Sequence, residues 1–409
     1  MTKACWWRTA GLILWLVAAG GRSAGAFDLD EFGLDDVHLD GFVDGRLIQS
    51  GTEQGWIKGG LGKLRYGGGA FEANAGGAVL VPWVQITPAL TGVLDLRYDP
   101  GQRDIIGADE AYFRYRPVST TAWRWSLKAG AFFPPISLEN TGIGWTSPWT
   151  VTPSAINSWV GEELRTIGVE PTVEWRGDVG TLTATAAAFG VNSTAGTLLY
   201  SSGWNLSDAI TPLGGRVRQP NLYGSESTSR VFDEDDNRVG WYAGATWKMP
   251  DYGEISVLRY DNDANLDASF NNSPWRTRFW SLGAKSEFGE FTVLAQGMLG
   301  DTSVAYDPID SWTTSFYAAY VLVGWERGDW RLAGRIDRFG TGGYIDEFNR
   351  NLSEHGTAGT FAVTWRPLDW LRLTGEALRV DSTRAARVRE RLARRSVDDQ
   401  FQFAARLFF

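Results

Sequence analysis

Period-two alternation constrains this chain more than any other feature. It recurs in stretches of about ten residues, each ending in a turn signal. In residues 123–131, Trp123, Trp125, Leu127, Ala129 and Ala131 share one face, while Arg124, Ser126, Lys128 and Gly130 share the other. In residues 401–409, Phe401, Phe403, Ala405, Leu407 and Phe409 oppose Gln402, Ala404, Arg406 and Phe408. About sixteen such segments occur, near residues 38–49, 70–86, 89–98, 108–117, 122–133, 164–176, 180–190, 238–248, 254–261, 276–287, 290–300, 313–326, 329–338, 357–366, 369–381 and 399–409. The connections between them alternate short and long, seven short turns against eight long loops. That sorting is what a closed barrel with both chain ends on the short-turn side requires. The expected fold is all-β: a transmembrane antiparallel β-barrel of about sixteen strands.

Composition agrees. Glycine (49), tryptophan (21) and phenylalanine (21) are plentiful, yet hydrophobic residues make up only 43% and mean hydropathy is -0.22, which excludes a helical membrane bundle. Membrane barrels average out in this way because lipid-facing and lumen-facing residues alternate. The first 26 residues stand apart. Lys3 and Arg8 precede an apolar core of about nine residues from Gly11 to Ala19, and Ala24-Gly25-Ala26 supplies a small-residue cleavage pattern. The core is far short of the roughly 18 residues a spanning helix needs. Residues 1–26 therefore read as an export signal cleaved after Ala26, and 27–409 as one barrel domain. Cys5, the single cysteine, lies within the signal, so the mature chain has no disulfide and no thiolate metal site. Removing Lys3, Arg8 and Arg22 takes the formal net charge from -9 to -12. Nucleic acid is a poor partner for such a chain.

Trp83, Trp123, Trp175, Trp247, Trp325, Trp330, Trp365 and Trp370 all fall near short turns. Amphipathic rings gather where hydrocarbon meets headgroups, so they read as one interfacial girdle. The alternative is the aromatic core of a soluble β-sandwich, against which stands a strand running to the last residue. That strand, with Phe401, Phe403 and Phe409, resembles the terminal strand of Gram-negative outer-membrane barrels. Together with the signal and the strand count, the mature chain resembles the sixteen-stranded porin superfamily. Residues 163–170 further resemble the phosphate-selective porins and their relatives. The resemblance implies recognition of Phe409 by the barrel assembly machinery, a homotrimer, and a third long loop folded into the lumen. Loop 134–163, rich in proline and tryptophan, is the candidate.

A sixteen-stranded barrel leaves an aqueous channel, so selectivity is sought in inward-facing residues. The loop carries Glu139, Glu162 and Glu163 and no lysine or arginine. Alternation places Asp95, Arg97, Glu110, Tyr112, Arg114, Arg116, Arg124 and Lys128 on the lumen side of strands three to five, with Glu170 and Glu174 beside them. Pairing across the turn near Ser119 sets Arg114 opposite Arg124 and Glu110 opposite Lys128. The expectation is a transverse field between basic wall and acidic loop, which orients dipolar solutes. Ordinary solvated lumen polarity is the plainer reading. The last long loop carries Arg384, Arg387, Arg389, Arg391, Arg394 and Arg395 against Glu390. Apolar residues at helical spacing suggest a short basic helix there, facing lipopolysaccharide phosphates, drawing in anions, or simply solvated.

The function these features support is passive diffusion of ions and small hydrophilic solutes, without cofactor or metal. An anion- or phosphate-selective porin is the near alternative, although a phosphate path needs a denser ladder of cations. A lipid-modifying barrel enzyme and a non-conducting structural or adhesive barrel are the rivals from other classes. Only His38 and His355 are available for catalysis, and neither sits beside a serine nucleophile in the pattern such chemistry requires.

Overall fold

The computed structural model describes residues 37–69, 71–219, 227–266, 274–305, 311–342 and 353–409. The export signal read in residues 1–26, with its cleavage site and Cys5, lies outside them. The strands are β1 (Val37–Ser50), β2 (Phe71–Thr87), β3 (Leu90–Tyr98), β4 (Ile106–Tyr115), β5 (Trp123–Phe132), β6 (Thr166–Gly177) and β7 (Gly180–Gly190). After a small hairpin, β8 (Arg216–Gln219) and β9 (Ser227–Arg230), come β10 (Gly240–Met249), β11 (Gly253–Asp261), β12 (Trp275–Phe288) and β13 (Phe291–Ala305). The chain ends with β14 (Ser311–Arg327), β15 (Trp330–Gly342), β16 (Glu354–Leu368), β17 (Leu371–Arg384) and β18 (Arg395–Phe408). All but β8 and β9 form one closed antiparallel barrel of sixteen strands. Every segment read from alternation is a strand of it, and the short and long connections alternate as expected.

Closure depends on one small residue. At the seam, Gly41 of β1 exchanges two backbone hydrogen bonds of 3.1 Å with Phe409. A Cβ on Gly41 would lie 2.5 Å from the Val79 carbonyl oxygen and 2.6 Å from the Phe409 ring. Glycine lets the terminal aromatic lie flat across the last joint, and no strand edge of the barrel is left unpaired.

The outer surface carries an apolar band. Trp123, Trp247, Trp330, Trp365 and Trp370 are exposed beside the short turns, and Trp330 and Trp365 stack at 5.9 Å. Trp83 departs from the expected girdle. A register shift opposite Asp44 and Gly45 turns the later odd positions of β2 inward. Trp83 is buried, stacked on His38 at 4.0 Å, and donates to Asp40 at 3.0 Å. Among the described residues no helix is long and apolar enough to cross a membrane.

The third long connection folds inside, as the resemblance implied. Its helix α1 (Ala155–Glu163) is capped by Ser154, whose hydroxyl accepts from the Asn157 amide at 3.3 Å, and every one of its residues is buried. A second inserted segment was not anticipated. The connection after β7 carries the short helix α2 (Thr197–Ser201) and runs back over α1, burying Leu198, Leu199, Trp204, Leu206 and Ile210.

Candidate functional site

The polar channel read from the sequence gives way on one side to an apolar core. Phe279, Phe316 and Phe339 point inward from β12, β14 and β15 and are at most 2% exposed. Trp159 of α1 packs on Phe279 at 5.6 Å, Phe316 at 5.4 Å and Trp204 at 5.9 Å. Gly324 of β14 leaves room for the tip of the loop, since a Cβ there would stand 2.3 Å from the Trp149 ring.

Polar clamps fix this packing. Arg335 of β15 binds Glu139 at 2.7 Å and Asp337 at 2.8 Å, and donates to the carbonyls of Thr152 at 2.8 Å and Pro153 at 3.0 Å. Glu376 of β17 accepts the amides of Val151 at 2.6 Å and Thr152 at 3.1 Å. Above them, Trp204 donates to the Gly340 carbonyl at 3.0 Å, and Arg384 donates to the carbonyls of Ser201 and Ser202.

The predicted constriction is therefore rearranged. Glu139 turns toward Arg335, away from the basic wall. Glu162 is buried against Asn205. Glu163 accepts from the Trp159 indole at 2.6 Å and the Leu198 amide at 2.8 Å. Burial pushes the Glu163 carboxyl up to about 7 despite those hydrogen bonds, and raises Glu162 as well, with Glu163 adding to the effect. These acids hold loops together and do not face β3 to β5. The expected pairing of β4 and β5 is also corrected. Arg114 lies opposite Lys128, and Arg124 lies opposite Glu174 of β6. Glu110 accepts from the Phe133 amide at 2.8 Å instead of facing Lys128. The turn is wider than alternation suggested, because the hydroxyls of Ser119 and Thr121 capture the Trp123 carbonyl and Pro117 has no amide to pair. Lys128 meets Glu170 at 3.1 Å, and Glu170 also accepts from the Tyr242 hydroxyl.

What remains open is charged. At the short-turn end one wide cavity of about 380 Å³ is lined by Gln85, Thr91, Arg114, Arg116 and Arg124, and a second, of about 410 Å³, by Lys285 and Arg331 together with Glu287, Glu290 and Glu326. A separate space, a neck of about 30 Å³, lies between the inserted loops and the wall of β18, β1, β2 and β3. This neck is bordered by a ladder of alternating charge. Arg406 binds Asp44 at 3.0 Å, Asp44 binds Arg46 at 2.8 Å, Arg46 binds Asp208 at 2.6 Å, and Asp208 binds Arg65 at 3.0 Å. Arg65 then pairs with Asp99. Burial alone would raise Asp208, but Arg46 and Arg65 hold it below the usual carboxylate range. Arg97 borders the same neck and binds Asp109 at 2.5 Å and the Gly144 carbonyl at 2.7 Å. Of the predicted residues, only Arg97 lies at the neck. Asp44 and Arg46 were legible as charged inward positions of the first strand. Asp208 and Arg65 were not, because loop residues carry no alternation.

The last long loop is a 3₁₀ helix (Ala385–Glu390) rather than an α-helix. Its arginines divide. Arg384 and Arg387 are buried, the latter pairing with Glu53; Arg389 is half-buried; Arg391, Arg394 and Arg395 are exposed.

Fold and lumen together define the class: a sixteen-stranded, membrane-type β-barrel of porin architecture with loops folded into it. No protein-family profile matches the chain, and no curated protein does. Among solved structures it is similar to the outer membrane channel DcaP of Acinetobacter baumannii, at 12% identity over 92% of this chain and 98% of that one, with a TM-score of 0.58. It is similar to the anion-selective porin from Comamonas acidovorans, at 10% identity over 92% and 100%, TM-score 0.53. It also resembles OmpT, an outer membrane protein of Vibrio cholerae, in trimer form, at 9% identity over 92% and 100%, TM-score 0.52. At such identities the likeness is one of fold.

Proposed function

We propose that this chain is an outer-membrane porin through which ions and small hydrophilic solutes diffuse passively, with the charged neck as its narrowest point. One observation carries the reading: the barrel is not completely filled, for a cavity beside Arg114, Arg116 and Arg124 and a smaller one beside the ladder at Arg46 and Asp208 are both lined by charged side chains. Buried charges of this kind are costly unless they are paired or serve a hydrated path. The cavity at Arg114, Arg116 and Arg124 favours anions, since three cations stand there against one nearby acid, Glu174, which lies 3.9 Å from Arg124. Strict phosphate selectivity is not part of the proposal, because the ladder alternates in sign. No cofactor is involved.

On this reading residues 1–26 are an export signal, 27–409 form the barrel in the outer membrane of a Gram-negative bacterium, and Phe409 is the element the assembly machinery recognises. A homotrimer fits the trimer form of the similar Vibrio cholerae protein. Catalysis has little support: His38 is occupied by Trp83, and His355 is exposed while the nearby Ser382 is buried. Liposome swelling tests the proposal. Small organic anions and sugars should enter proteoliposomes faster than protein-free ones, with anions ahead of cations of equal size.

A second reading rests on the size of the neck. A water needs roughly 10–15 Å³, so about 30 Å³ admits a few waters and no hydrated solute. A barrel that never widens there would be a non-conducting structural or adhesive protein, and would give no swelling with any solute.

A further inference from the structure

The outer wall of β14 to β18 is hollowed. Gly334 and Gly359 stand on neighbouring strands, and a Cβ on either would meet nothing within 4 Å. The hollow holds about 700 Å³, and its rim is apolar: Val321, Ile336, Phe361 and Phe401 are 50, 70, 53 and 59% exposed. Toward the long-loop end charged pairs enter this face, with Val397 exposed among them. Arg379 faces Asp399 at 3.3 Å and Arg395 faces Asp381 at 2.6 Å, all four substantially exposed. Arg338, two residues beyond Ile336 on the same face, is exposed as well.

Charged side chains on a lipid-facing wall are tolerated near the headgroups and costly at the bilayer centre. The arginine ladder therefore marks headgroup depth, and the hollow beneath it lies where acyl chains begin. Exposed Arg391 and Arg394 add two cations above the ladder. Among the described residues cations outnumber acids on this edge, with Arg338, Arg379, Arg391, Arg394 and Arg395 set against Asp381, Asp399 and Glu390.

We infer that this face is a docking surface for one phosphorylated, multiply acylated lipid of the outer leaflet, lipopolysaccharide in a Gram-negative membrane. An acyl chain fills the hollow over Gly334 and Gly359, and the sugar phosphates meet Arg338 and Arg379. Shape and charge act together, and the inference does not depend on whether the barrel conducts.

The test uses the full-length barrel refolded in detergent, incubated with lipopolysaccharide, washed, and weighed by native mass spectrometry. Wild type should retain the lipid. The double variant Arg338→Gln, Arg379→Gln should weaken retention by about fivefold per arginine removed. Gly359→Leu, which fills the hollow from outside, should lose it while keeping heat-modifiable mobility on a gel as a check of folding. Equal retention by wild type and both variants would overturn the proposal. So would equal retention by wild type of dephosphorylated lipopolysaccharide or of phosphatidylethanolamine, which would make the hollow an ordinary lipid contact.

Discussion

The Arg335 guanidinium and the Glu139 carboxylate lie 2.7 Å apart inside the barrel, and both side chains are fully buried. One comes from the wall and the other from the inserted loop, so this pair ties the loop to the far side of the lumen. Removing one partner of a buried pair typically costs about 3–5 kcal/mol. Arg335→Met should therefore lower the unfolding midpoint in denaturant and raise single-channel conductance, because the loop is released from β15. An unchanged conductance in the folded variant would show that the loop is held by its apolar packing alone.

Asp208 joins Arg46 and Arg65 across the neck. Asp208→Asn leaves two cations facing one another beside the passage. The expected outcome is a reversal potential shifted toward anions in a salt gradient, with conductance raised as the inserted segment loosens. Wild-type values for both quantities would place the permeation path elsewhere.

Arg114 and Arg124 line one wide cavity at the short-turn end. Arg114→Glu with Arg124→Glu should move ion preference from anions toward cations, most clearly at low salt, where screening is weakest. A reversal potential that does not move would remove that cavity from the selectivity account.

Docking of the two loops should depend on pH. Burial pushes Glu163 up to about 7 from an ordinary value of 4.5, so the docked form binds the proton more tightly than the undocked form. Docking is then strongest in acid and weakens as pH rises from about 4.5 to 7. Glu162, buried against Asn205, acts in the same direction. Lys63 is lowered to about 8, chiefly by burial, and acts only in the alkaline range. Amides of residues 198–206 should exchange faster at pH 7 than at pH 5 after correction for intrinsic rates. Glu163→Gln should flatten that difference, and a difference that survives the substitution would point to another titrating group.

Gly41 has backbone on one side and the Phe409 ring on the other. Gly41→Val should block the last strand pairing and abolish the heat-modifiable band, whereas Gly45→Val, where a Cβ meets nothing within 4 Å, should fold normally. Equal folding of the two variants would contradict this account of the seam.

The barrel was legible because alternation is a local property: each strand shows its two faces without reference to its partner. Register across a wide turn was not, since it depends on how Ser119 and Thr121 fold the connection. Asp109 escaped notice because a shift between Asp95 and Leu96 breaks the alternation of β4 against β3. The apolar half of the lumen did leave a signal. Phe279, Phe316 and Phe339 occupy positions that a water-filled barrel gives to polar residues, and Trp204 and Leu206 lie in a connection that solvent should surround. Read together, they call for something folded inside. The ladder at the neck unites β18, β1 and three connections, and only tertiary structure brings those five together.

The central claim is that a charged, water-permeable route crosses this packed lumen. Single-channel recording of the refolded wild-type barrel in a planar bilayer tests it most directly. The account predicts discrete, ohmic openings of small conductance with anions favoured over cations; a correctly folded barrel that inserts and stays electrically silent would contradict it.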